Sequence, residues 1–375
     1  MLSQSFPLQA RRRTGRRYAI LLFAIFAGIA GWTALWKYTA GRAAEAAAEW
    51  RAHEAANGRI FACGDEAIAG YPFRIEVTCR DARAEFHDFS PPLAVTLPRV
   101  LTVAQIYTPN RLISEFDGPL QLGQAGRAAE FSANWSLGQA SVSGILSRPD
   151  RVSLVFEAPA VDRIADGSRE RVFTARHLEV HGRPAAEGAP GTETGLRFEQ
   201  AQIPVWPAAG VEPFDAVIDA VMRGITDFTP KPWLARLREL QAAGGALEIK
   251  QARVVQGQIL AVGDGTVHFN AAGHLDGQLR LTVAGLEILL DRIGAKQMVQ
   301  TSPAMDKLAG ALNRLAPGLG NMARQQVSEN IAPGINAIGE QTTLEGRKAV
   351  SLPLRFDDGF VSLGPIPLGR IPDAL

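Results

Sequence analysis

Residues 247–283 read LEIKQARVVQGQILAVGDGTVHFNAAGHLDGQLRLTV, and this stretch decides the fold. Apolar and polar residues alternate along it, with the period of two that is typical of half-buried β-strands. The alternation predicts four strands, at residues 247–255, 258–262, 265–269 and 277–283. The pairs Asp264-Gly265 and Asp276-Gly277 predict turns, because Asp-Gly favours tight hairpins. The segment therefore predicts an antiparallel hairpin array.

Shorter alternating runs of the same kind lie on both sides of this array. They predict strands at residues 70–79, 93–103, 131–137, 151–156, 173–180, 349–356 and 360–364. Three more Asp-Gly pairs predict turns between strands, at residues 117–118, 166–167 and 358–359. Residues 183–194 contain almost no apolar side chain and predict an exposed loop or short linker.

Helical signals interrupt the strands at two places. Pro232 and then Gly244-Gly245 bracket an apolar stripe formed by Trp233, Leu234, Leu237 and Leu240, which together predict one short helix. A second helical region is predicted at residues 286–339. We therefore expect a mainly β fold, an extended antiparallel sheet with one or two helical insertions. We divide it into an N-terminal β region, residues 59–205, and a C-terminal β region with the insertions, residues 206–375.

The N-terminus predicts a membrane anchor. Residues 18–36 are 19 residues without a charge, which as a helix span about 28 Å of a hydrocarbon core that is about 30 Å thick. Five arginines precede them, Arg11, Arg12, Arg13, Arg16 and Arg17. By the positive-inside rule, residues 1–17 form a cytoplasmic tail and the rest of the chain is exported. The alternative is a cleaved signal peptide with a weak site at residues 38–41, although the apolar region of such peptides usually has only about 7–15 residues.

An Ala-rich and Glu-rich segment follows the predicted span. Residues 37–58 have high helix propensity and end at Gly58, a common helix stop. We expect them to extend the membrane helix outward as a helical stalk.

Two cysteines lie in the exported part, Cys63 and Cys79, sixteen positions apart. Because exported compartments are oxidising, a disulfide is expected, and it would contribute about 3 kcal/mol for a loop of this size. A metal pair and a redox pair are the alternatives, but the sequence has no C-x-x-C and no histidine within four residues of either cysteine.

The charge distribution argues against nucleic acid as a partner. The formal net charge is +1, and residues 1–36 hold +5, which leaves −4 for the rest of the chain. A slightly acidic body lacks the basic surface that nucleic-acid binding needs.

Common catalytic motifs are missing from the sequence. It has no P-loop, H-E-x-x-H, G-x-S-x-G or EF-hand pattern. His53-Glu54 lacks a second histidine at Asn57, and residues 318–323 fit G-x-G-x-x-A with no strand before them. We expect no enzymatic activity, no catalytic residue and no cofactor.

Two histidine pairs are candidate metal ligands. His177 and His181 lie in a predicted strand, where residues four apart are about 13 Å apart and cannot share an ion. His268 and His274 flank the turn at residues 270–273, near Asp276. This second pair is the one metal candidate to test, and our prediction is that it is a set of polar turn residues without a metal.

The segment Tyr71-Pro72-Phe73-Arg74 allows a structural and a functional interpretation. In the structural one, which we favour, Pro72 opens a strand, Phe73 enters the core and Arg74 pairs on the surface. In the functional one, the planar guanidinium of Arg74 meets a lipid phosphate or a partner carboxylate.

Two motifs carry a family resemblance. One is Gly70-Tyr71-Pro72-Phe73-Arg74, and the other is the C-terminal LPLRFDDGFVSLGPIPLG, residues 352–369, with Gly359, Gly364, Pro365, Pro367 and Gly369. They resemble an uncharacterised alphaproteobacterial family of membrane-anchored envelope proteins, known as a conserved domain of unknown function, over roughly residues 45–370. The resemblance implies a Gram-negative inner membrane, a periplasmic body and no known activity.

A broader similarity links residues 247–283 to anchored envelope proteins with long, curved β-sheets, some of which carry lipid between membranes. It implies that one apolar face of a curved sheet forms a groove. Our first hypothesis is a lipid or hydrophobic-ligand binding envelope protein. The alternative is a structural or interaction arm for an envelope complex, with an unknown protein partner, and the third is an enzyme of unrecognised type.

Overall fold

The computed structural model describes residues 12–145, 149–186, 190–205, 212–226, 231–292, 309, 313–314, 321–322, 339–364 and 366–370. The helices are α1 (Arg12–Ala56), α2 (Trp233–Ala242) and α3 (Leu286–Arg292). The first strands are β1 (Arg59–Ala62), β2 (Asp65–Ala69), β3 (Arg74–Phe86), β4 (Leu93–Gln105), β5 (Thr108–Asp117), β6 (Leu120–Gln124) and β7 (Phe131–Asn134). They are followed by β8 (Leu137–Ser143), β9 (Arg151–Glu157), β10 (Ala160–Ala165), β11 (Ser168–Thr174), β12 (His177–Pro184), β13 (Gly191–Ala201) and β14 (Phe214–Arg223). The last are β15 (Ala246–Gln256), β16 (Ile259–Phe269), β17 (Leu275–Ala284), β18 (Glu340–Leu344), β19 (Arg347–Asp357), β20 (Phe360–Leu363) and β21 (Ile366–Arg370).

Within the described residues these strands form one antiparallel sheet, which confirms the predicted mainly β fold. Its central series runs β3-β4-β5-β8-β9-β12-β13-β14-β15-β16-β17-β19, each strand hydrogen-bonded to the next. β6, β7, β10 and β11 branch from the first residues of β4. The predicted boundary at residue 205 falls between β13 and β14, which pair with each other, and the two-region division stays a prediction.

α1 joins the predicted span and stalk into one helix of 45 residues. No proline occurs between its ends, and Gly58, at φ 78°, lies in the left-handed region that commonly ends helices. Its apolar part is long enough to cross a membrane, and it is exposed. The cytoplasmic side of its N-terminus stays a prediction.

The hairpin array contains three strands, β15 to β17, so the prediction of four strands with turns at both Asp-Gly pairs was wrong. Gly265 and Gly277 lie inside β16 and β17, with φ of 142° and 135°. A Cβ on Gly265 would lie 2.3 Å from the main-chain oxygen of Gln278, and one on Gly277 would lie 2.3 Å from that of Thr266. The glycines therefore allow close approach of two strands, and the turns lie at Gly257 and at residues 270–274.

Three other local predictions need correction. The predicted strands 131–137 and 173–180 each span two strands, β7–β8 and β11–β12, because the chain passes from the side branch into the central series between them. Part of the predicted loop 183–194 is strand, since Arg183 pairs with Glu193 and Pro184 with Thr192. Alternation and polarity are properties of one segment of sequence. Neither predicts which segments pair with each other as strands.

The first predicted helical insertion is present, and the second is present in part. α2 begins after Pro232 and ends before Gly244, as predicted. α3 covers the first residues of the predicted region 286–339, and most of the remainder lies outside the described residues. The largest buried cluster combines α3 with the C-terminal strands, and it consists of Val283, Leu286, Leu290, Val350, Leu352 and Leu363.

Candidate functional site

Strand register aligns apolar side chains across the centre of the sheet. Directly opposed residues of an antiparallel pair project to the same side. Phe156 of β9 lies opposite Leu178 of β12, and Leu178 lies opposite Phe198 of β13. A second row, two residues along each strand, consists of Leu154, Val180 and Leu196.

These rows continue through the neighbouring strands. The same side holds Val100, Thr102 and Ala104 (β4), Leu112, Ser114 and Phe116 (β5), Gly138, Ala140 and Val142 (β8), Ala216, Ile218 and Ala220 (β14), Ile249, Ala252 and Val254 (β15), and Ala261, Gly263 and Gly265 (β16). We call this side, from β4 to β16, the apolar face. None of the residues named carries a charge. At about 4.8 Å per strand, its nine strands extend over roughly 38 Å.

A β-bulge keeps the face continuous at β15. Register shifts between Ile249 and Ala252, so these residues, three apart, oppose Gly265 and Gly263 on the same side of β16. One extra residue, within Lys250-Gln251, is accommodated at the bulge. Without it, the alternation would place either Ile249 or Ala252 on the opposite side.

The opposite side of the same strands, which we call the polar face, carries their charged side chains, interspersed with apolar ones such as Val103, Val155 and Val217. It carries Glu115, Gln139, Ser153, Glu157, His177, Glu179, His181, Arg183, Glu193, Arg197, Asp219, Arg253, Thr266 and Arg280. Cross-strand pairs connect them, including Arg183 Nε to Glu193 Oε2 at 2.6 Å. The charged side chains of these strands therefore lie on one side of the sheet.

The apolar face is covered at one end. Leu286 and Leu290 of α3 pack on Val283, Val350 and Leu352, which continue the face into β17 and β19. Towards the centre, Leu154, Leu178 and Leu196 are only half-buried.

A cleft of about 590 Å³ lies on the polar side, between β9 and β15. Three of its charged lining residues, Arg183, Glu193 and Lys250, are paired with one another. Glu193 accepts hydrogen bonds from Arg183 at 2.6 Å and from Lys250 at 3.4 Å. The Arg183 hydrogen bond, more than the opposing effect of burial, holds the pKa of Glu193 below its ordinary value. These contacts connect β12, β13 and β15 on the polar face.

His177 and His181 lie in a strand, as predicted, and they share a carboxylate between them. Glu179 Oε1 lies 2.7 Å from His181 Nε2, and Glu179 Oε2 lies 3.6 Å from His177 Nε2. Burial raises the pKa of Glu179, but hydrogen bonds from the two imidazoles together lower it below its ordinary value. The three side chains form a ladder along the polar face.

The two residues of the second histidine pair have different neighbours. His268 lies opposite Asp276, while His274 contacts Asp358 and Arg370. Among the residues that the structure describes, no group of three His, Cys, Asp or Glu side chains is placed to hold a metal ion.

The Tyr71-Pro72-Phe73-Arg74 segment lies against α1. Trp32 Nε1 donates to the carbonyl of Pro72 at 2.7 Å, and the Trp32 ring lies 6.2 Å from the Phe73 ring. Arg74 pairs with Glu76, as the structural interpretation predicted. Phe73 is 62% exposed, so its predicted entry into the core was wrong. The strand begins only at Arg74, because residues 71–73 form a turn that contacts the helix.

Cys63 and Cys79 form a disulfide, which ties the β1–β2 connection to β3. In the C-terminal motif, Gly359 and Gly364 have φ of 79° and 56° at turns that flank β20. Pro367 and Gly369 lie in β21, and Pro365 lies outside the described residues. Gly70, at φ 101°, precedes the turn that contacts α1, and a Cβ there would lie 2.7 Å from the Arg74 oxygen.

Comparison with known proteins gives one family. The profile of an uncharacterised protein family conserved in bacteria, DUF2125, matches residues 36–372. The chain belongs to the DUF2125 family. No curated protein matches it significantly. The DUF2125 match begins at Trp36, whose indole nitrogen donates to the carbonyl of Arg74, so it includes this contact between helix and sheet.

The apolar face of this DUF2125 protein was not identifiable residue by residue from the sequence. Alternation identified which residues of one strand share a side, and it did so for Phe73 to Cys79 and for residues 247–283. The missing signal was the register between strands that are distant in sequence, such as Val283 opposite Val350.

Proposed function

We propose that this DUF2125 protein is a single-pass inner-membrane protein whose periplasmic sheet binds the acyl chain of a lipid along its apolar face. The observation that carries the proposal is the alignment of uncharged side chains over nine strands, while the charged side chains of the same strands lie on the opposite side. Contiguous exposed apolar surface commonly marks a binding site. No catalytic step and no cofactor are part of the proposal.

A lipid is the occupant we favour because the sheet is attached to a membrane-spanning helix. β1 and β3 lie against α1, and Trp50 of the helix stacks on Phe61 at 4.7 Å. An acyl chain that spans one leaflet covers about 15 Å, half of a hydrocarbon core, and the apolar face is longer than this. Contact between an apolar side chain and an acyl chain removes apolar surface from water. Each Å² removed stabilises the complex by about 25 cal/mol.

The proposed orientation of the span in the membrane is based on the positive charges at its two ends. Arg16 and Arg17 precede the span, while Lys37 and Arg42 follow it more sparsely. Positive residues are retained on the cytoplasmic side. A reporter fused after residue 45 is expected to be active in the periplasm and inactive in the cytoplasm, and the reverse result would exclude a periplasmic sheet.

Lipid retention tests the binding proposal. The full chain is purified from the inner membrane and analysed by native mass spectrometry, beside Leu154→Asp on the apolar face and Val155→Asp on the polar face. Wild type and Val155→Asp are expected to keep at least one lipid per chain. Burying a carboxylate against an acyl chain costs several kcal/mol, so Leu154→Asp is expected to retain at least about tenfold less.

Equal retention by the two variants, or a lipid-free wild type, would overturn the proposal. A folded wild type that lacks lipid and instead keeps a protein at fixed stoichiometry would favour the interaction-arm alternative.

A further inference from the structure

One end of the sheet presents exposed aromatic residues beside the outer end of the membrane span. The turn at residues 71–73 joins β2 to β3, and the turn at residues 106–107 joins β4 to β5. Tyr71, Phe73 and Tyr107 are 49%, 62% and 67% exposed. The amide nitrogen of Ile106 donates to the carbonyl of Phe73 at 3.2 Å, so the two turns lie side by side. We call Tyr71, Phe73 and Tyr107 the aromatic tip.

The aromatic tip is fixed to the helix at a defined height. Trp32 and Trp36, the last aromatic residues of the predicted span, donate from their indole nitrogens to Pro72 and Arg74. Thr33 Oγ1 and the Tyr71 hydroxyl lie 2.9 Å apart, and the Trp36 and Tyr71 rings meet edge to face at 5.7 Å. These contacts place the tip level with residues 32–36 of α1.

Residues at this height of a membrane helix lie at the boundary between hydrocarbon and headgroups. Tyrosine and tryptophan are enriched there because their rings are apolar and their polar atoms reach water. Lys37 and Arg42 follow on the exported side, where they can meet lipid phosphates. The exposed rings of the tip therefore match the chemistry of the bilayer interface.

We propose that the aromatic tip is inserted in the outer-leaflet interface of the membrane that holds α1, so that the sheet meets the bilayer with the ends of β3 to β5. This inference rests on the membrane anchor of the proposed function, and it does not require a ligand on the apolar face. It assigns Tyr71, Phe73 and Tyr107 to a lipid-contacting surface.

Site-directed spin labelling tests the depth of the tip. The full chain, whose two cysteines are joined in a disulfide, is labelled at one introduced cysteine and reconstituted in phosphatidylethanolamine–phosphatidylglycerol vesicles. Three positions are compared: Phe26→Cys in the span, Tyr107→Cys in the tip and Leu137→Cys in the sheet. Phe26, Tyr107 and Leu137 are 67%, 67% and 41% exposed. The register places Leu137 level with the end of β5, roughly 30 Å along the strands from the tip.

Collision of the nitroxide with oxygen, which partitions into the bilayer, is compared with collision with a water-soluble nickel chelate. Labels at Phe26 and Tyr107 are expected to favour oxygen, and the label at Leu137 is expected to favour nickel. If the label at Phe26 favours oxygen while the label at Tyr107 favours nickel as the label at Leu137 does, the tip is not inserted and the inference is overturned. If Phe26 also favours nickel, the anchor itself fails, and with it the proposed function.

Discussion

The indole nitrogen of Trp36 donates a hydrogen bond of 2.8 Å to the main-chain oxygen of Arg74, 38 positions later in the chain. This contact joins α1 to β3, the first strand of the central series. It holds this end of the sheet against the helix.

Replacing Trp36 by Phe is expected to weaken the attachment. The ring is largely kept while the hydrogen bond is lost, which reduces the free energy of unfolding by about 1 kcal/mol. Urea unfolding of the full chain in detergent measures the change. Trp50→Phe is the control on the same helix, since it preserves an aromatic contact with Phe61. A loss for Trp50→Phe as large as for Trp36→Phe would contradict a specific role for the Trp36 hydrogen bond.

Gly265→Ala is expected to destabilise the sheet strongly. At φ 142°, with the Gln278 oxygen 2.3 Å from the new Cβ, the backbone must move, at a cost of about 3 kcal/mol. Gly263→Ala, two residues away on the same strand, meets its nearest atom at 3.5 Å and is expected to change stability by less than about 1 kcal/mol. Thermal unfolding of both variants measures the difference. Similar midpoints would show that β16 and β17 do not approach as closely as described.

Glu193 is expected to make stability depend on acid pH. Its pKa is lowered from 4.5 in the folded protein, chiefly by the hydrogen bond from Arg183. The ionised form therefore stabilises the fold above about pH 4.5, and this contribution is lost as the pH falls through the lower folded pKa. Glu193→Gln is expected to be about 1 kcal/mol less stable than wild type at pH 7, with the difference narrowing below pH 4.5.

Urea unfolding at a series of pH values from neutral to acid follows this difference. Glu170→Gln serves as control, because the Arg163–Glu170 pair is exposed on both sides and such pairs contribute about 0–1 kcal/mol. A Glu193→Gln difference that is constant with pH, or that widens in acid, would contradict the assigned ion pair.

The stability that the disulfide contributes is expected to depend on the length of the loop it closes. Cys63 and Cys79 close a loop of sequence separation 16, for which chain entropy predicts about 3 kcal/mol. The double variant Cys63→Ser, Cys79→Ser is expected to lose this amount in urea unfolding, and reduction of the wild type is expected to produce the same loss. A double variant as stable as the oxidised protein would show that the bridge does not limit the unfolded chain.

The sequence was sufficient for properties that are local. The charge-free span, the helix after Pro232, the cysteine pair and the strand alternation each depend on residues within one segment. The turn assignment at Asp264-Gly265 failed because the same dipeptide serves a tight turn at residues 166–167 and a close strand contact at Gly265. Only the identity of the neighbouring strand distinguishes these two uses.

The candidate site depends on non-local pairing. Phe73 alternates correctly with Ile75 and Val77, yet it packs on α1 because Trp32, 41 positions upstream in the sequence, is close in space. In the same way, the apolar face forms only when strands distant in sequence, such as β5 and β8 or β17 and β19, align their registers.

Leu154 and Val155 provide the most direct test of the apolar face. They are adjacent, both apolar, and they project to opposite sides of β9. A photoreactive benzoylphenylalanine is placed at each position in turn in the full chain, cells are irradiated, and adducts are identified by mass spectrometry. The account predicts a lipid adduct at position 154 and little or none at position 155. Equal lipid labelling at the two positions, or a protein adduct at 154 without lipid, would contradict it.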